Sequence, residues 1–102
     1  MPDYEEGPGV LKINKDLGWV IEEELREKCR VLLDAKVPNL VIDISGADHV
    51  CSANMVVFAY VGAMAGKRQK TLKVLVSSRV ARAFRIAGFD EFLKLEQTGQ
   101  QP

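Results

Sequence analysis

Leu40-Val41-Ile42-Asp43-Ile44-Ser45-Gly46-Ala47-Asp48-His49-Val50-Cys51-Ser52-Ala53-Asn54 leads into the long apolar segment Met55 to Ala65, and this stretch decides the fold. Leu40 to Ile44 is an apolar run of strand length containing Val and Ile, and it reads as a buried strand. Ser45 to Cys51 is a short polar connection. Met55 to Ala65 shows no alternation and meets no strong breaker before Gly62 and Gly66, so the segment is expected to be a helix. Ser52 stands where that helix should start, and its oxygen suits the unpaired amides of a helix N-terminus. A phosphate on the same oxygen would meet those amides and the positive end of the helix dipole. Ser52 therefore reads either as a cap or as a switch.

The second helix has an unusual wheel. Met55, Val56, Val57, Phe58, Ala59, Val61, Ala63, Met64 and Ala65 leave no broad polar face. Such a helix must be covered all round, yet a small domain cannot easily bury one on every side. Its first turn is expected to stay exposed and to be covered by a partner protein. Met55 and Val56 lie on different sides of the wheel, so one of them should face the core and the other the partner.

Upstream, Pro2 to Glu6 and Val10 to Ile13 are expected to form a strand pair turned at Gly7-Pro8-Gly9. Asp16-Leu17-Gly18 reads as a loop, and a helix is predicted from about Trp19 to Ala35. Ile21, Leu25, Cys29, Leu32 and Leu33 mark its apolar stripe, with Glu22, Glu23, Arg26, Glu27 and Arg30 opposite. Pro38 ends that helix by holding Val37 extended. Trp19 is either a packing anchor or a partner contact.

Downstream, Thr71 to Val76 alternates as a strand. Ser77 or Ser78 caps a third helix whose Val80, Ala83, Phe84 and Ala87 should point inward, and Gly88 is placed to end it. Arg79, Arg82 and Arg85 recur along its outer side, a row that suits solvent, an acidic partner or a phosphate. Phe89, Phe92, Leu93 and Leu95 supply a last apolar patch with a short strand near Lys94 to Glu96. Residues 1–96 should form one domain, and 97–102 a frayed polar tail. Strands alternating with helices imply a mainly parallel sheet, made mixed by the N-terminal hairpin and covered by about three helices.

Composition removes several functional classes. The 102 residues are 47% hydrophobic and 27% charged, as expected of one small globular domain. Fourteen basic and fourteen acidic side chains cancel, so no net field favours nucleic acid or a membrane surface. No segment suits a bilayer span, and the acidic start Met1 to Glu6 is unlike a signal peptide. Cys29 and Cys51 match neither a disulfide framework nor a zinc spacing, and read as reduced thiols of a cytoplasmic protein. The cluster Asp48-His49-Val50-Cys51-Ser52 holds the only histidine. It lacks a glycine-rich oxyanion turn, and no Walker-type or dinucleotide-type loop is present elsewhere. An enzyme is not expected, and neither a cofactor nor a metal.

The run from Leu40 to Asn54 resembles the central motif of STAS domains, specifically bacterial anti-sigma factor antagonists. In that family an apolar strand leads through a turn to an Asp-Ser-Ser-Gly or Asp-Ser-Thr-Gly helix opening. Lys73-Val74-Leu75-Val76, then Val80, Phe84, Ala87-Gly88-Phe89 and Phe92, are similar to the family's last strand, third helix and closing turn. The resemblance puts Ser52 on the family's phosphorylated serine. Cys51 stands in place of the preceding aspartate, Ala53 in place of the second hydroxyl residue and Asn54 in place of the glycine. Lys15-Asp16-Leu17-Gly18 corresponds to the family's Gly-Glu-Leu-Asp loop. What the resemblance implies is a phosphorylation-controlled partner switch in transcription. Unphosphorylated at Ser52, the protein would bind an anti-sigma factor with serine-kinase activity through Cys51, Ser52, Ala53, Asn54, Met55 and Val56. Phosphorylated, it would be released, and a serine phosphatase would restore it. The alternative is a STAS scaffold or complex subunit, of the stressosome or transport-associated type, without an obligatory phosphate cycle.

Overall fold

In a computed structural model, which describes residues 2–91 and 93–98, nine elements follow one another along the chain. They are β1 (Tyr4–Gly7), β2 (Val10–Ile13), a short 3-10 turn (Leu17–Trp19), α1 (Glu22–Leu33), β3 (Asn39–Asp43), α2 (Ser52–Lys67), β4 (Thr71–Val76), α3 (Ser78–Ala87) and β5 (Lys94–Gln97). The sheet order is β1-β2-β3-β4-β5, antiparallel only between β1 and β2. This is the expected mixed, mainly parallel sheet with an N-terminal hairpin and three helices.

Because spatial order follows chain order, successive right-handed crossovers place the helices on one face of the sheet. The burial pattern agrees. Leu11 and Ile13 of β2, Leu40 and Ile42 of β3 with Ile44 just beyond it, and Leu72, Val74 and Val76 of β4 are all buried, while their alternate neighbours are half-buried or exposed. The strand Leu40 to Ile44 is thus buried on one face only; Val41 and Asp43 lie on the opposite, helix-free face.

The core forms where α2 meets the sheet and its neighbouring helices. Phe58 of α2 and Phe84 of α3 are fully buried, with ring centroids 6.4 Å apart in a stacked arrangement. Such a pair adds about 0.5–1.5 kcal/mol beyond the area it buries. From α1, Leu25, Cys29, Leu32 and Leu33 complete the layer. Lys28 bridges the hairpin to α1, pairing with Glu6 at 2.9 Å while its Nζ lies 5.0 Å from the Tyr4 ring centroid.

Several boundaries differ from the sequence expectation, each for a local reason. α1 starts at Glu22, with Ile21 as its N-cap and 60% exposed. Ile21 has helical spacing to Leu25, but it sits at the helix end, beyond the sheet that would cover it. Asp16 accepts a hydrogen bond from Gly18 N at 2.7 Å, and this turns Leu17–Trp19 into a 3-10 segment that buries Leu17. In α3, Ser77 is the N-cap, one of the two serines expected there, but Ala81 is buried beside Val80 and Phe84, whereas Ala83 is half-buried and Ala87 exposed. β5 extends to Gln97, and Thr98 N donates to Val76 O at 2.9 Å, so the sheet takes in the first tail residues. Phe92 and residues 99–102 lie outside the described residues.

Two glycines hold left-handed backbone. Gly88 (φ 77°) closes α3, its amide donating to Arg85 O, and an added Cβ there would meet nothing within 4 Å. Gly9 (φ 76°) turns the hairpin, and a Cβ would fall 2.4 Å from Val37 Cγ2. Gly88→Ala is expected to cost about 1 kcal/mol from backbone strain alone. Gly9→Ala should cost clearly more, because it adds a steric clash. Equal urea midpoint shifts for the two variants would contradict this packing of the hairpin on Val37.

Candidate functional site

The site grows from the carboxyl end of β3. Asp43 Oδ1 accepts from Ser45 N at 2.9 Å and from Ser45 Oγ at 2.6 Å, which turns the chain off the sheet. Ala47 N closes the next turn on Ile44 O. Ser77 Oγ then donates to Ala47 O at 3.0 Å while accepting from Val80 N at 3.2 Å. One hydroxyl therefore caps α3 and anchors the connection that delivers α2.

The N-cap of α2 is Cys51, with extended backbone (φ −101°, ψ 166°), and Ser52 is the first helical residue. Asn54 Oδ1 accepts from Cys51 N at 3.2 Å and from the Cys51 thiol at 2.9 Å. Asn54 thus reaches back to the N-cap amide in the manner of a capping-box residue. Of the two readings of Ser52, the cap is corrected: its position is one residue too late, and its hydroxyl makes no hydrogen bond among the described residues. That hydroxyl is exposed and unengaged at the positive end of a 16-residue helix.

Among the six residues expected to meet a partner, Cys51, Ser52, Ala53 and Val56 are exposed. Asn54 and Met55 are not; they are 6% and 5% exposed, held by the turn and the core. Val56 is 45% exposed, so it is the outward member of the Met55–Val56 pair.

Two residues that sequence reasoning missed lie on the same exposed side of α2 or next to it. Tyr60 lies four residues beyond Val56 and eight beyond Ser52, so all three share a helix face, and it is 57% exposed. Val56, Ala59, Tyr60 and Ala63 line an apolar groove of about 310 Å³ with Gly88 and Phe89, which follow α3. Counting in fours from Ser52 would have found Tyr60; Phe89 is brought in only by the fold. Trp19, at 77% exposure, is not a packing anchor. Arg79, Arg82 and Arg85 are exposed and form no ion pair among the described residues.

The Asp48–Ser52 cluster does not converge. His49 is exposed and lines a polar cleft of about 460 Å³ with Lys12, Lys15, Asp43 and Asp48 at the ends of β2 and β3. No hydrogen bond joins His49 to Cys51 among the described residues. There, too, no three His, Cys, Asp or Glu side chains are grouped to hold a metal, and no helix is long and apolar enough to cross a membrane.

A five-stranded mixed sheet with helices on one face, and a serine opening the central helix, define the fold class in which the comparisons place this chain. It matches the model of the STAS domain over residues 2–101, and it belongs to that family. A crystal structure of an anti-sigma factor antagonist from Mycobacterium paratuberculosis shares the fold with a TM-score of 0.75 at 21% identity, covering 93% of this chain and 83% of that one. No curated protein matches the sequence.

The two thiols should behave differently. Burial pushes the Cys29 thiol up from its ordinary 9.0 to about 12, whereas Cys51 is exposed. A thiol reagent at pH 8 is expected to modify Cys51 in the native protein and Cys29 only after unfolding. As pH rises from 9 towards 12, the unfolded chain loses the Cys29 proton first, so native stability should fall. Cys29→Ala should flatten that part of the profile; an unchanged slope would remove Cys29 as its cause.

Proposed function

We propose that this STAS domain is an anti-sigma factor antagonist, whose partner docks on the exposed face of α2 from Ser52 to Tyr60 and on the groove towards Phe89. The observation that carries this reading is the placement of an unengaged Ser52 hydroxyl on the same helix face as exposed Val56 and Tyr60. An apolar surface beside a modifiable hydroxyl suits a reversible contact. The partner is an anti-sigma factor with serine-kinase activity, and phosphorylation of Ser52 is the switch. A phosphate there carries nearly two negative charges. It would be held by the α2 amides, and would set a strongly hydrated group against the rim of the apolar contact. A serine phosphatase reverses the modification.

The neutral neighbours of Ser52 favour a second reading. Cys51 and Asn54 form the helix opening where the family pattern has an aspartate and a glycine. In that reading the domain is a STAS scaffold or complex subunit using the same α2 face, with no phosphate cycle.

The test is calorimetric titration against purified anti-sigma factor kinases of the source organism. Ser52→Ala should bind like wild type and keep its stability, since Ser52 is not the cap. Ser52→Asp should weaken binding at least tenfold; equal affinity of the Asp variant and wild type would eliminate the switch. Val56→Glu should abolish binding with little change in Tm, and Met55→Glu should instead unfold the domain by placing an unpaired charge in its core. Normal partner capture by Val56→Glu would move the docking surface elsewhere. Transfer of phosphate from ATP to wild type but not to Ser52→Ala separates the antagonist from the scaffold.

A further inference from the structure

Two exposed segments, one at the head of α1 and one on α3, have no part in the core or in the outward strip of α2. The first leads into α1, where Trp19 is 77% and Ile21 60% exposed. Two large apolar groups two residues apart form a patch rather than a scattered exposure. Asp16, Glu22, Glu23 and Glu24 surround them in the chain, with no lysine or arginine between. Glu22 is held by Arg26 at 2.9 Å. Asp16, Glu23 and Glu24 form no ion pair among the described residues.

The second segment is the outer side of α3. Arg79, Arg82 and Ile86 follow one another at spacings of three and four, which puts them in one row, and Arg85 lies beside it. Ile86 is 76% exposed, and all three arginines are exposed. The helix carries no acidic residue, and none of the three guanidinium groups lies within 4 Å of a carboxylate among the described residues. Asp90 and Glu91 come only after the Gly88 turn. The two patches are thus alike in build and opposite in sign, each a large exposed apolar group beside charges without partners.

We propose that these patches meet between copies of this chain, Trp19 and Ile21 of one copy seating on Ile86 of the next, with Asp16 and Glu23 facing the arginine row. Apolar contact would supply the attraction, and the charges would set orientation. A nucleic acid could occupy the arginines, but it would leave Ile86 in water and give Trp19 no role. The patches differ, so the contact is head to tail rather than two-fold, and each added copy presents a fresh patch. Because α1 and α3 flank α2 on opposite sides, the assembly leaves the outward strip of α2 open. It therefore stands whatever protein docks there. A tryptophan brings about 150–250 Å² to such a contact. The whole falls below the roughly 1,200 Å² of a stable complex, so the association is weak and reversible.

The test is sedimentation velocity of the full chain over a concentration series at low salt. The average mass should rise with concentration, and added salt should reduce it. Trp19 and Ile86 are both exposed, so Trp19→Lys and Ile86→Glu should keep the Tm of wild type. Each variant alone should self-associate at least tenfold more weakly. Mixed in equal amounts, they should form a dimer and nothing larger, since each retains the patch that the other lacks. A wild type that stays monomeric up to about millimolar concentration would overturn the proposal. So would self-association that survives either substitution, or a mixture that stays monomeric. Binding of single-stranded RNA by a monomeric wild type, lost in Arg82→Glu, would assign the arginine row to nucleic acid instead.

Discussion

A 16-residue helix with almost no polar side chains, in a domain with one sheet and one layer of helices, can be covered on only part of its circumference. α2 spends its inner stripe, Met55, Phe58, Val61 and Ala65, on the core, with Val57 packed beside it. The stacking of Phe58 on Phe84 holds α3 to one flank, and α1 lies along the other. What remains outward is Val56, Ala59, Tyr60 and Ala63, a strip too small-sided and too apolar to be an ordinary solvated helix face. The core and this outward apolar strip are thus two sides of one sequence choice.

The opening of α2 is positioned from three directions. Asp43 turns the chain off β3, Ser77 ties Ala47 to the start of α3, and Asn54 reaches back to the Cys51 amide. Each bond satisfies a polar group that a helix end or a turn would otherwise leave unpaired. Their joint effect is to leave the Ser52 hydroxyl without a structural task. A serine acting as the cap would have its oxygen turned in towards the helix amides. One residue later on the chain, Ser52 is exposed at the head of the apolar strip and its hydroxyl makes no hydrogen bond among the described residues.

Much of this was legible in the residues. The β3 run, the Ser77 cap and the Gly88 stop depend on chemistry that only a few residue types supply, and each stands where expected. The start of α1 was not legible, because Ile21 continues the apolar spacing past the point where the sheet can cover it. The cap of α2 was not legible either: cysteine is an unusual N-cap, and Ser52 beside it matches the usual preference. It is the buried amide of Asn54 that makes the cysteine cap work. The sequence motif pointed to the first turn of α2, and the exposed apolar strip runs on from it to Tyr60. Asn54 and Met55 fell inside the turn, and Phe89 joins the groove only through the packing of α3 on α2.

The central claim is that the outward strip of α2, with Ser52 at its head, is the surface by which this STAS domain acts. Hydrogen exchange of the domain with and without a bound anti-sigma factor kinase tests it most directly. Protection confined to residues 51–60 and to the segment around Gly88 and Phe89 is the predicted result. Protection of α1 or of the helix-free face of the sheet, with α2 unchanged, would contradict the account.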